Sequence, residues 1–150
     1  MPKILIITGD GGEAYETWFA VHRFQEAGYE PRIAAPSKRR LHLVMHDFEP
    51  GWDTYKEGPG YAIDSDLTFD EVNTTEYDAV LCIGGRAPEY LRNDSRVLNI
   101  LREFDARGAD RVCGERDLEV TAGLTGVGEN LKGAAPVIVV MAVSFYPSAK

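Results

Sequence analysis

Cysteine is scarce in this 150-residue chain: Cys82 and Cys113 are its only two, which leaves no disulfide framework and makes a reducing, cytosolic setting the expectation. Histidine is almost as thin. His22 stands alone in a helical pattern, and His42 and His46 lie in a stretch without helical character, so neither number nor spacing points to a metal site. Long apolar runs are missing as well. The longest, Val137 to Val143, is far short of a membrane span, and the opening Met1-Pro2-Lys3 lacks the charged and apolar pattern of a signal peptide. Basic surplus is absent too: the formal net charge is −8 with acidic residues scattered along the chain, which argues against nucleic acid or an anionic membrane as partner. The length is that of a single domain, 1–150, large enough to bury a core without staples.

What is present reads as alternating strands and helices. Ile4 to Ile7 form a buried-strand run that ends in the loop Thr8-Gly9-Asp10-Gly11-Gly12. Ala14, Trp18, Val21, Phe24 and Ala27 then recur at helical spacing, with Gly28 placed for a left-handed cap. Pro31 to Ala35 follow as a second strand, and this β-α-β order implies a parallel sheet with a right-handed crossover. Residues 41–76 are less regular and read as a flap or small hairpin, punctuated by Pro50-Gly51 and Gly58-Pro59-Gly60. A helix is expected from about Ser95 to Arg107, capped from Asn93, Asp94 or Ser95, buried through Val97, Leu98, Leu101 and Phe104, and ended by Gly108.

The rest is organised around Tyr77 to Arg92. Ala79 to Ile83 are a short apolar run suited to a central strand covered on both faces. Gly84 and Gly85 break it with a tight turn at the strand's carboxyl end, where open α/β sheets place their binding crevice. Arg86 and Glu89 follow on a segment whose Pro88 suits a first helical turn, so a cation and a carboxylate project from the crevice rim. Read as bare residues they are equally a surface ion pair.

The opening KILIITGDGGEAYET, the loops HDFEP and DTYKEGPGYAI, the segment DLTFDEVNTTEYDAV and above all GGRAPEYLR occur in order and at family-like spacing. Through them the first 108 residues or so resemble the ThiJ/PfpI superfamily of PfpI-type intracellular proteases and glyoxalase III or deglycase enzymes. The resemblance implies a flavodoxin-like α/β sandwich with a mainly parallel sheet, a homodimer or larger assembly, and no cofactor. It also implies a cysteine at a strand-to-helix elbow, touched by a carboxylate from the first helix, that attacks a small carbonyl or acyl substrate. Cys113 takes that role here, assisted by Glu13 or Glu16, with Gly84, Gly85 and Arg86 binding substrate. Glu89 matches a glutamate that in PfpI-type proteases reaches a neighbouring subunit's site. Without the resemblance, Glu13 and Glu16 are also what a helix's first turn favours on electrostatic grounds.

After Gly108 the pattern breaks. The family's apolar strand into Cys-His-Gly is replaced by ADRVCGERDLEV, whose charged approach makes a poor central strand and whose cysteine has no histidine after it. Residues 109–150 are therefore divergent or truncated, through loss of the nucleophile, a shifted reading frame or a misassigned tail. Pro136 to Phe145 still read as a buried strand able to join the sheet. Two further readings stay open beside a thiol enzyme. One is a non-catalytic, dimerising or binding member; the other is nucleotide binding by Gly9-x-Gly11-x-x-Ala14 with Ser37-Lys38-Arg39-Arg40, against which Asp10 and Glu13 set repulsive charge.

Overall fold

A computed structural model describes residues 1–107 in full, and residues 110–113 and 137–140 as strands. The described residues form ten strands and three α-helices: β1 Lys3–Ile7, α1 Ala14–Glu26, β2 Glu30–Ala35, β3 Arg40–Leu41, β4 Val44–Asp47, β5 Lys56–Pro59, β6 Ile63–Asp64, β7 Leu67–Thr68, β8 Ala79–Cys82, α2 Ala87–Leu91, α3 Ser95–Ala106, β9 Asp110–Cys113 and β10 Val137–Val140. The main sheet runs β7-β2-β1-β8-β10-β9, and every pairing in it is parallel.

Alternation along β1 produces the three layers. Ile4 and Ile6 face one core with Val21 and Phe24 of α1, while Leu5 and Ile7 face the other with Val97, Ile100 and Phe104 of α3. Ile4 to Ile7 are buried whichever way they point, which is why β1 reads as an unbroken apolar run. Full burial of each such side chain contributes roughly 1.5–3 kcal/mol. The result is the flavodoxin-like sandwich implied by the resemblance.

Helix ends follow their caps. Asp94 accepts from the Arg96 N–H at the start of α3, and Gly28, at φ 84°, takes the left-handed position after α1. The buried stripe of α3 differs from the expected one at Leu98, Ile100 and Leu101, the last of which is only partly buried against the same core. Ile100 is buried and Leu98 only half so, because positions 97, 100 and 104 share the face that a 3.6-residue turn directs inward. The expected stop at Gly108 lies outside the described residues.

The irregular stretch forms two small antiparallel ribbons, β3 with β6 and β4 with β5, set over the carboxyl side of the sheet. They are tied to the first loop by backbone: Gly11 N–H donates to His42 O at 2.9 Å, and Val44 N–H to Gly12 O at 2.9 Å. Asp10 adds a clamp, accepting from the Arg39 guanidinium at 2.6 and 3.1 Å and from the His42 N–H at 2.8 Å. The flap is therefore seated against the loop after β1 rather than standing away from it.

β10 enters the sheet between β8 and β9. The apolar run VIVV takes the inner place and the charged Asp110-Arg111 approach goes to the edge, as burial on both faces requires. Register sets Cys113 level with Val140, and Val140 level with Cys82. The backbone of Cys113 thus stands at the carboxyl edge of the sheet, two strand spacings or about 10 Å from β8. Its side chain lies outside the described residues.

Candidate active site

Two turns at the carboxyl edge of the sheet are zipped together. Glu13 N–H donates to Gly84 O at 3.1 Å, and Arg86 N–H and Ala87 N–H donate to Gly11 O at 2.8 and 3.3 Å. Gly85 sits at the crossing with φ 86°, and its backbone approaches Gly11, Gly12 and Glu13 so closely that a Cβ there would meet main-chain atoms. A glycine is the only residue that meets both requirements. The double glycine thus serves to bring the first turn of α1 onto the end of β8.

That approach gives Glu13 and Glu16 different work. Glu13 is the N-cap of α1, its carboxylate accepting from the Glu16 N–H at 2.6 Å. A Glu at the third helical position ordinarily reaches back to the cap's own N–H. Here that N–H is already bonded to Gly84 O, and Glu16 turns instead to Gly84, accepting from its N–H through Oε2 at 2.8 Å. Glu16 is 4% exposed, and its second oxygen, Oε1, is buried with no partner among the described residues.

Burial dominates the electrostatics. It pushes the Glu16 carboxyl up to about 7, with the Gly84 N–H pulling down and the neighbouring Glu13 charge pushing up. A helix N-terminus contributes only about 0.3–1 kcal/mol in the opposite sense, under one pKa unit, so desolvation wins. At neutral pH Glu16 is then close to half-protonated, the condition in which a group both takes and gives a proton. Glu13 thus makes the capping contact expected of a first-turn carboxylate, whereas Glu16 is buried against Gly84.

The remaining candidates are placed as follows. Gly84 offers its N–H to Glu16, and Gly85 holds the turn. Arg86 is exposed at the rim, its Nε donating to the Glu57 carboxylate at 2.9 Å across to β5. Glu89 is exposed on α2. Cys82 ends β8, and burial pushes its thiol up to about 12, which keeps it protonated and unreactive. A cavity of about 230 Å³ opens beside Glu13 and Glu16, walled by Tyr15, Phe48 and Tyr55 and by His46 of β4. Sequence reading weighed His46 only as a metal ligand and set it aside, because its neighbours come from the flap; only the HDFEP segment in the motif set marked the place. Among the described residues no cluster of three His, Cys, Asp or Glu could hold a metal ion.

A model of the DJ-1/PfpI family matches residues 2–113. The chain belongs to the DJ-1/PfpI family. The match ends at Cys113, the residue put forward as nucleophile. Among curated relatives, Deglycase PfpI of Pyrococcus furiosus is 35% identical over 124 residues, covering 81% of this chain and 66% of the relative. Protein DJ-1 homolog D of Arabidopsis thaliana is 35% identical over 127 residues, covering 81% of this chain and 32% of the relative. This chain thus spans under two thirds of the length of these relatives. Among solved structures, a ThiJ/PfpI domain protein from Brachyspira murdochii superposes with a TM-score of 0.60 at 17% identity, covering 94% of this chain and 86% of that one. At that identity the likeness concerns the fold alone. No described helix is long and apolar enough to cross a membrane.

Proposed function

We propose that this DJ-1/PfpI family protein carries out thiol-dependent chemistry on small carbonyl compounds, of the glyoxalase or deglycase type, with amidase-like acyl transfer as its close chemical relative. The observation that carries the reading is Glu16: a buried carboxyl near half-protonation, held by the Gly84 N–H, with one oxygen lacking a partner among the described residues, in the lining of a small cavity. The names of the deglycase relatives support the substrate class.

In this reading Cys113 is the nucleophile. Its sulfur adds to an aldehyde carbon as the thiol proton passes through bound water to Glu16, and Glu16 returns a proton to the new alkoxide oxygen to give a thiohemiacetal. No electron donor is required. Gly84, Gly85 and Arg86 form the substrate rim, and Glu89 faces a second copy of the chain in a homodimer. Nucleotide binding finds less support, because the N–H groups of Gly11, Gly12 and Glu13 are bonded to backbone carbonyls and carboxylates occupy the helix start. A non-catalytic binding role is favoured by one observation, the place of Cys113 on the edge strand beyond β10.

The test is methylglyoxal consumption by the wild type and by Cys113→Ser, together with alkylation of each thiol by iodoacetamide near neutral pH. Turnover is expected to fall by about 100-fold or more in the variant. Cys113 is expected to react well ahead of Cys82, whose half-buried, protonated thiol serves as the internal reference. No consumption by the wild type, or none lost in the variant, would leave the binding role standing in its place.

A further inference from the structure

His46 is built into the cavity rather than left on the surface. Its side chain is 8% exposed, its Nε2 lies 3.4 Å from the Glu57 carboxylate, at the long end of hydrogen-bond range, and its ring stacks on Tyr55 with centroids 3.9 Å apart. Glu57 is in turn bonded to Arg86, the first residue after the double glycine, so three elements fix the ring: β4, β5 and the turn after β8. The parallel bridge between Glu13 and Val44 carries β4 alongside the start of α1, and His46, two residues further on, lines the same cavity as Glu13 and Glu16.

A carboxylate hydrogen-bonded to one ring nitrogen selects the tautomer with the proton on that nitrogen, and leaves the other nitrogen basic. From this geometry we infer that Glu57 and His46 form a carboxylate–imidazole dyad serving the same small-carbonyl chemistry as Glu16, with Glu57 as positioning residue and His46 as a catalytic acid–base. The inference rests on the function proposed above. In each turnover the imidazole takes one proton from bound substrate onto Nδ1 while Nε2–H stays with Glu57, and it hands the same proton back before product leaves. The ring ends neutral, and no oxidant or reductant enters. Two proton carriers in one cavity let one group remove a proton while the other delivers one, which a carbonyl rearrangement needs.

Two measurements decide it. Long-range nitrogen–proton spectra of the histidine rings are expected to show His46 as the Nε2–H tautomer in the wild type and a loss of that preference in Glu57→Gln. Methylglyoxal kinetics are expected to show kcat lowered by about 100-fold in His46→Gln, with KM within a few-fold, and a smaller loss of kcat in Glu57→Gln. An active wild type with the Nδ1–H tautomer, or with His46→Gln at full kcat, overturns the dyad. A wild type that turns over no carbonyl but shows the Nε2–H tautomer overturns the proposed function, and with it the catalytic part of the dyad.

Discussion

Glu16→Gln is expected to gain stability on the wild type by roughly 2–3 kcal/mol between pH 5 and pH 8 while losing carbonyl turnover by about 100-fold or more. The sign follows from burial. The folded carboxyl titrates at about 7 and the unfolded one at 4.5, so the native state retains a proton that the unfolded chain has released. The favourable contribution of neutral Glu16 is complete below pH 4.5, and it is lost as pH rises through 7, where the wild type must hold a buried charge. The amide never charges, and its oxygen still accepts from the Gly84 N–H.

Its NH2 group takes the place of the unpartnered Oε1, and an unsatisfied donor there costs about 1–3 kcal/mol at every pH. The diagnostic is therefore the change in the difference between variant and wild type across pH, read by denaturant unfolding in matched buffers. In thermal melts it corresponds to roughly 5–10 °C of relative shift. Asp10, Glu71, Glu76 and Asp94 all have carboxyls held below their usual values, so their contributions change only in more acidic solution. They are common to both proteins and cancel in the comparison. A difference that stays flat from pH 5 to pH 8 would mean that Glu16 is not raised, and would remove the proton carrier from the mechanism.

Gly85→Ala is the second large effect: a loss of about 3–4 kcal/mol, enough to take a substantial part of a typical domain's 5–15 kcal/mol. Two costs combine. A left-handed backbone costs an L-residue about 1–2 kcal/mol. In addition the new Cβ would stand 2.6 Å from Gly11 O and 2.7 Å from Glu13 N, so the hydrogen bonds that join the two turns must lengthen or break. Gly51 separates the terms, since it has the same φ of 86° with nothing within 4 Å. Gly51→Ala should therefore lose only about 1 kcal/mol. Because Gly85 seats Glu16 on Gly84, the same variant should also lower the pH dependence just described. If the two glycine variants unfold alike, the close approach of the turns is not what holds the site together.

The chain was legible where periodicity and burial coincide. The runs at Ile4–Ile7 and Ala79–Ile83 carry apolar side chains at every position because both faces of a parallel sheet are covered, and that pattern survives without any knowledge of neighbours. The caps at Asp94 and Gly28 and the turn at Gly84-Gly85 were legible for a similarly local reason, since each depends on the backbone of a few residues. The hydrophobic VIVV run was recognisable as a strand able to join the sheet, though not as the inner neighbour of β8.

Function was less legible because its groups meet across the chain. Glu13 and Glu16 look alike in sequence, three residues apart in one helical turn; only the arrival of Gly84 from far along the chain leaves one as a cap and makes the other a buried carboxyl with a raised pKa. His46, Glu57 and Arg86 come from three separate elements, and no spacing rule links them. Residue order and polarity are local properties, enough to mark the buried central strands, the two long helices and the family. Desolvation and hydrogen-bond partnership depend on what packs against a side chain in space, and those alone turn an ordinary glutamate into a neutral-pH acid and a surface-looking histidine into part of a cavity.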